Sequence, residues 1–339
     1  MKLVAAFAWL AASLAVAGPA IAATPDSQLL KTYQPVLVFH PNELFRPTKV
    51  NSFVGNSELQ TFTGTSLAQL PLDAYWTTVA ADPEPGALPA PTPAMFYRLN
   101  ETNCDADAPL AGGTCYAVAW SAEPGGNAVY GRVARTATRT VLQYWLFYYD
   151  NPLLLPTPFG TFWQSHEGDW ELVNVILDED EQPIQAAYSQ HCSGQRMAWT
   201  DGDLEKSPEG STHPVAYVAL GSHANYFQPS AAPVPINPLC FPAAVPSSLP
   251  VDRVVDGTTV GAVTGPPGTG VEPATIHRIQ GTAWSEFGGF WGESEYFFTP
   301  IAIGAIPANT AVAVGPAPAS PANQGKWNAE VVLAWPLVS

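Results

Sequence analysis

Positive charge is scarce in this sequence. Lysine and arginine number 13 among 339 residues, against 29 aspartates and glutamates, for a formal net charge of -16. That balance excludes nucleic acid and an anionic membrane surface as electrostatic partners, and it is compatible with binding a cation. Charge of either sign is scarce, at 12% of residues, where about 25% is usual. The shortage is not that of a disordered chain, because 47% of the residues are hydrophobic. Several catalytic signatures are missing too. There is no G-x-S-x-G elbow for a nucleophilic serine and no H-E-x-x-H for a zinc protease. "GPPGTG" (Gly265 to Gly270) lacks the lysine of a phosphate loop and reads as a turn. No internal repeat, heptad pattern or sustained 3.6-residue period is present.

Only the N-terminus holds a long apolar run. Lys2 precedes Leu3 to Ala17, Gly18-Pro19 breaks any helix, and Ala20-Ile21-Ala22 fits a cleavage site. The run is shorter than the ~20 residues a membrane span needs. The expectation is a signal peptide over 1–22, an exported chain (secreted or periplasmic), and no transmembrane helix in the mature protein. Cysteines number four, with no C-x-x-C. In an exported chain an even count points to disulfides, and four cysteines allow three pairings. Cys104 and Cys115 flank the turn-rich "DADAPLAGGT" and form the natural local pair, which leaves Cys192 with Cys240.

Proline and glycine are plentiful, at 35 and 27, and favour a loop-rich β architecture over helices. "VLVF" (Val36 to Phe39) reads as a short strand ending at a turn, "HPNE", in which Pro41 and Asn42 are ordinary turn formers. Val141 to Tyr149 is β-branched and aromatic enough for a buried strand. "DWELVNVIL" and "IQAAYSQH" flank the polar "DEDEQP" and form a hairpin. "PVAYVALGSHANYF" reads as a strand interrupted at Gly221. From Gln228 to Glu272 the composition is that of long surface loops. The fold expected is all-β with minor helix, an antiparallel β-sandwich-like single domain over 23–339.

One stretch concentrates the missing charge. "SHEGDWELVNVIL" (Ser165 to Leu177) places His166, Glu167, Asp169 and Glu171 within six residues at the head of an apolar alternating segment. On a strand, Asp169, Glu171, Val173 and Val175 share one face, with the two carboxylates about 6–7 Å apart. Such a pair can converge on a cation, with His166 beside it and Asp150 supplied by the end of the preceding aromatic strand. Oxygen-rich ligation favours Ca2+ or Mg2+, and imidazole ligation moves the preference toward Mn2+ or Zn2+. With the hairpin turn centred between Asp180 and Glu181, Glu171 falls opposite Gln190. A one-residue slip would bring His191 onto the carboxylate face. His191 and His223 each close an apolar strand, so His166, His191 and His223 are the candidate acid-base residues.

"PVLVFHPNELFRP", "YWLFYYDNP", "HEGDWE", "YSQHCSG", "HPVAYVALGSHANYF" and "FGGFWGE" occur in one order. Together they resemble the vacuolar protein sorting-associated protein 62 family, over about residues 33 to 300. That family implies no agreed catalytic mechanism. "HEGDWE" is also similar to the "GHRHDWE" stretch of the necrosis- and ethylene-inducing peptide-like proteins, secreted β-sandwich cytolysins that bind a divalent cation and sphingolipid headgroups. This likeness implies His166, Asp169 and Glu171 as metal ligands with Asp150, while Gly168 stands where those proteins carry a second histidine. The function expected is an exported protein that binds a glycan or lipid headgroup through a divalent-cation rim. A metal-assisted hydrolase of a glycan or phosphoester and a structural envelope protein are the alternatives. Substrate and oligomeric state are not set by the sequence.

Overall fold

The centre of the molecule is a pair of very long strands, β6 (Thr140–Thr157) and β7 (Gly160–Leu177). They form an antiparallel hairpin in one unbroken register, from Thr140 opposite Leu177 to Thr157 opposite Gly160. The computed structural model describes residues 24–62, 76–81, 83–89, 97–101, 127–157, 160–191, 193–230, 234–235, 250–252, 263–265, 272–293, 296–298, 311–313 and 317–339. The expected signal peptide and all four cysteines, with the pairing proposed for them, lie outside the described residues.

The hairpin is the middle of a seven-stranded sheet. Its other members are β5 (Ala128–Arg135), β8 (Pro183–Gln190), β9 (Ser193–Ala198), β16 (Thr275–Arg278) and β19 (Leu337–Val338). The strand order is β16-β5-β6-β7-β8-β9-β19. A second sheet of five joins β1 (Val36–Phe39), β10 (Val215–Val218), β11 (Asn225–Tyr226), β14 (Val263–Gly265) and β15 (Glu272–Pro273), in the order β11-β10-β1-β14-β15. A three-stranded antiparallel sheet has β2 (Ser57–Phe62) between β3 (Trp76–Ala81) and β4 (Tyr97–Glu101). Two small pairs complete the strands: β12 (Val234–Pro235) with β13 (Pro250–Asp252), and β17 (Tyr296–Phe298) with β18 (Ala311–Ala313). The helices are short: α1 (Asp26–Thr32), α2 (Val50–Gly55) and α3 (Ala329–Leu333). No helix of the described residues is long and apolar enough to cross a membrane.

The β-rich expectation with minor helix therefore holds in its coarse form, and the antiparallel sandwich needs correcting. β1 runs parallel to β10, β16 to β5, β9 to β19, and β14 to β15. The sheets are mixed, because the chain repeatedly returns to an earlier strand through long excursions, where simple hairpins would give antiparallel neighbours.

The two faces of the hairpin have different surroundings. Trp145, Phe147, Trp170 and Leu172 share one face, which is packed against Trp284 and Trp291. Trp170 stacks on Trp284 with centroids 5.7 Å apart and meets Trp291 edge-on at 5.4 Å. The opposite face carries Tyr144, Leu146, Tyr148, Asp169, Glu171 and Val173 and looks toward the five-stranded sheet. There Phe39 meets Tyr148 edge-on at 6.5 Å, and the Tyr188 hydroxyl donates to the Val215 carbonyl at 2.8 Å. The acidic motif thus lies in the interior layer between two sheets, where each charge must find a partner.

Candidate functional site

Gly168 explains how the motif is accommodated. Its φ is +60°, and a Cβ there would lie 2.1 Å from the Trp291 carbonyl oxygen, so only glycine lets the 291–293 segment cross the strand. The crossing is fixed by two bonds: Glu167 N–H donates to the Glu293 carbonyl, and Glu293 N–H donates to Glu167 Oε2, each at 3.0 Å. Glu293 in turn forms a buried ion pair with Arg98 at 3.0 Å, and Arg98 Nε donates to Gln60 Oε1 at 2.7 Å. Glu167 is therefore part of a clamp that joins β7 to the three-stranded sheet.

Asp169 and Glu171 share a face, as strand alternation requires. They sit in the middle of β7, because the segment expected to be a connection (Asn151 to Gln164) continues the two strands. Asp169 Oδ2 accepts from His223 Nδ1 at 3.0 Å. His223 Nε2 lies 3.4 Å from Glu43 Oε1, an ion-pair distance longer than a good hydrogen bond. The imidazole is fully buried and stacks on Tyr148, with centroids 3.8 Å apart and planes within 2°. Burial alone would lower its pKa, but the Glu43 and Asp169 carboxylates outweigh it and raise it to about 9. His223 is thus an imidazolium at neutral pH. Glu43 is held below the usual carboxylate range: burial opposes ionisation, and His223 with the N–H groups of Gly221 (2.7 Å) and Phe45 (2.9 Å) overcomes it.

Glu171 has its own cation. Beyond Val173 and Tyr188 the β7/β8 ladder stops, and side chains replace main-chain partners. Leu172 N–H donates to Ser189 Oγ at 2.8 Å, the Ser189 hydroxyl donates to Glu171 Oε2, and Lys326 Nζ donates to the Trp170 carbonyl at 2.9 Å. The same ammonium lies 3.4 Å from Glu171 Oε2. Burial still raises the pKa of Glu171, with Lys326 opposing. His191, with φ +56° in the tight turn before β9, is partly exposed and acts electrostatically on Glu171.

His166 does not join these groups. Its Nδ1–H donates to the Gly168 carbonyl at 2.7 Å and its Nε2 accepts from Asn151 Nδ2 at 2.8 Å, which defines one neutral tautomer and uses both nitrogens. Burial lowers its pKa. Asp150 is buried and stands opposite Glu167, two positions along from the Tyr148–Asp169 pair.

The metal site expected at Asp150, His166, Asp169 and Glu171 is corrected by this arrangement. Among the described residues, no group of three or more His, Cys, Asp or Glu is placed to hold a metal ion. The physical reason is that the protein supplies its own cations: His223 neutralises Asp169 and Glu43, and Lys326 neutralises Glu171. The Ca2+ or Mg2+ reading, with Mn2+ or Zn2+ behind it, falls with the site. So does the basis for a metal-assisted hydrolase. Of the three candidate acid-base histidines, only His191 has appreciable exposure, since His166 is saturated and His223 is sealed.

Ser189 and Lys326 were not singled out from the sequence, and the sequence favoured a plain turn at Glu43 over a place in the polar rim. "HPNE" does form the expected turn, with Glu43 N–H donating to the His40 carbonyl at 2.9 Å. Its carboxylate nonetheless reaches His223 as well. Parallel pairing of β1 with β10 places Phe39 beside Val218. The segments that follow therefore leave the sheet at the same end and bring Glu43 to His223.

No protein-family model matches the chain, and no curated protein does, so membership of the vacuolar protein sorting-associated protein 62 family is not borne out. Solved structures give distant structural similarities to toxin-fold proteins. A protein described as NLPPya in complex with mannosamine shares 11% identity, over 77% of this chain and 77% of that one, at a TM-score of 0.35. A structure described as a toxin fold for microbial attack and plant defense shares 12%, over 76% of each chain, at 0.35. Necrosis and Ethylene inducing Protein 2, from the causal agent of cocoa's Witches' Broom disease, shares 16%, over 78% and 82%, at 0.33.

Proposed function

We propose that the chain is an exported recognition protein, one β-rich domain over 23–339, that binds a glycan or lipid headgroup at Asp169 of β7, beyond the end of its ladder with β8. The observation that carries the reading is the fixed carboxylate of Asp169. One oxygen is held by a fully buried imidazolium, and the side chain keeps 8% of its surface open to solvent. A carboxylate oriented in advance by a buried cation loses little freedom on accepting a ligand hydroxyl or ammonium. His191, just past the end of β8, is partly exposed and acts electrostatically on Glu171, two residues along the same face from Asp169. His223 has no access to a ligand, so its part is to position Asp169.

The test is calorimetric titration of the full chain with glucosamine and mannosamine, which carry both hydroxyls and an ammonium, and with vesicles bearing a glycosylated lipid. Asp169→Asn should weaken binding about tenfold, the loss of one charge-assisted hydrogen bond. The exposed Glu286→Gln should leave it unchanged. Absence of binding across the panel, or equal affinity for Asp169→Asn and wild type, rejects the proposal.

A further inference from the structure

The same face of the seven-stranded sheet, out at its β16 edge, holds a cavity that the Asp169 cluster does not use: Gly131 pairs with Tyr144, whose hydroxyl donates to the Leu30 carbonyl of α1 at 2.9 Å. The cavity lies between α1 and the edge strand β16, with a volume of about 490 Å3, within the range of small-molecule sites. Its floor is β5 at Gly131. A Cβ there would lie 2.7 Å from Leu30 Cδ1 and 2.8 Å from Ile276 Cγ2, so helix and edge strand both close over a bare stretch of backbone. Val133 continues that floor.

Register decides which side chains face the cavity. β16 runs parallel to β5 with Ile276 beside Val129 and Arg278 beside Gly131. Parallel partners project on the same face, so Ile276 and Arg278 stand on the α1 side. His277 falls on the other face, with its ring 5.7 Å from Tyr130. From α1, Ser27 and Lys31 are one turn apart on the rim, and Leu30 covers the floor. Asp26, the one acid at the rim, is bonded to Arg135 at 2.6 Å. Among the described residues, the cavity charges without an ion-pair partner are therefore the ammonium of Lys31 and the guanidinium of Arg278, in a chain with 13 basic residues and a net charge of -16.

We infer that this cavity binds a small amphiphilic anion, an anionic head on a short alkyl body. Lys31 and Arg278 hold the head, and Leu30, Val133 and Ile276 receive the alkyl chain. Among the described residues, no phenylalanine, tyrosine or tryptophan lines the cavity, so they offer no such ring for a sugar to stack on. The aliphatic floor matches methylene groups, each worth about 0.8 kcal/mol when buried. A carboxylate and a phosphate satisfy the two cations equally in sign, and the guanidinium can engage either one bidentately.

The experiment titrates octanoate, octyl phosphate and octan-1-ol into the full chain at low salt, followed by calorimetry. Both anions should bind and the alcohol should not, and the tighter anion identifies the head group. Arg278→Gln and Lys31→Gln should each weaken binding about fivefold, and together about twentyfold. Ser27→Trp places an indole at the rim from an exposed helix position, where folding is not at risk, and should abolish binding. Equal binding of the alcohol and the anions, or anion binding untouched by Arg278→Gln and Ser27→Trp, overturns the inference. So does absence of binding by either anion.

Discussion

The charge on His223 gives the most exacting test of the interior cluster. Its pKa of about 9 stands roughly 2.5 units above the unperturbed 6.5, which corresponds to about 3 kcal/mol of folding free energy. A pKa raised on folding means that the native state holds a proton the unfolded chain releases. The contribution is complete below pH ~6.5 and is lost as pH rises through ~9, with a slope near 1.4 kcal/mol per pH unit between them. The groups facing the ring are Glu43, Asp169 and Tyr148, with His166 acting at longer range. Burial first, then the nearby carboxylates, keeps the Tyr148 hydroxyl protonated well above its ordinary range, and His166 is neutral, so neither titrates within the window.

The perturbation is His223→Asn. Asparagine tolerates the positive φ of +54° at this position, so the change removes the cation and leaves the backbone unstrained. Glu43 and Asp169 then lack their counter-charge, at a cost of about 3–5 kcal/mol near neutral pH. Urea unfolding of both proteins from pH 6 to pH 10 supplies the comparison. The wild-type advantage should shrink by about 3 kcal/mol across the range. Groups remote from the cluster are common to both chains and cancel. A difference that stays flat with pH would mean that His223 is neutral in the folded protein, and the whole account of Asp169 as a positioned carboxylate would fail.

Gly168→Ala should destabilise by about 3 kcal/mol or more, because it combines a left-handed φ with a clash against main chain that cannot yield; thermal melting within a degree of wild type would contradict the crossing described here. Lys326→Met should cost about 3 kcal/mol by leaving the Glu171 carboxylate buried without its ammonium. Adding Glu171→Gln should recover much of that loss, which a double-mutant cycle by urea unfolding measures, and strict additivity would show that the pair is not coupled.

Local features were legible in the sequence and distant ones were not. "VLVF" forms β1 over the four residues expected, and centring the hairpin turn between Asp180 and Glu181 gives the observed pairing of Val173 with Tyr188. The alternation that put Asp169 and Glu171 on one face is also observed. The length of the hairpin was not foreseen, because Asn151 to Gln164, which includes Pro152 and Pro156, was expected to be a connection between the strands. β5 begins only at Ala128 and pairs with β6 up to Trp145. The two prolines thus lie where β6 has no β5 neighbour and a missing N–H breaks no ladder. The counter-charges are a different case. Lys326 reaches Glu171 across 155 residues, and Glu43 meets His223 through a parallel register that no local pattern encodes. A metal was the natural inference for two acids on a buried face, since only the fold shows where the cations come from.

Where those cations come from also bears on what the cluster is for. Glu43 and His223 belong to turns at one end of the five-stranded sheet, Asp169 and Glu171 to the central strand of the seven-stranded one, and Lys326 to the C-terminal segment. Hydrophobic residues of similar volume could join the same elements with equal or greater stability, because buried ion pairs seldom repay their desolvation in full. Stability therefore does not account for the arrangement. An apolar contact would also leave the two sheets free to settle by packing alone. The chain Glu43–His223–Asp169 instead fixes one oxygen of a largely buried carboxylate to within a hydrogen-bond length, from a histidine stacked flat on Tyr148. That precision serves nothing in the interior, where it ends on an acceptor that a hydroxyl would satisfy equally well. Under the proposed function, it holds Asp169, whose side chain keeps 8% of its surface open to solvent, in one orientation for a ligand.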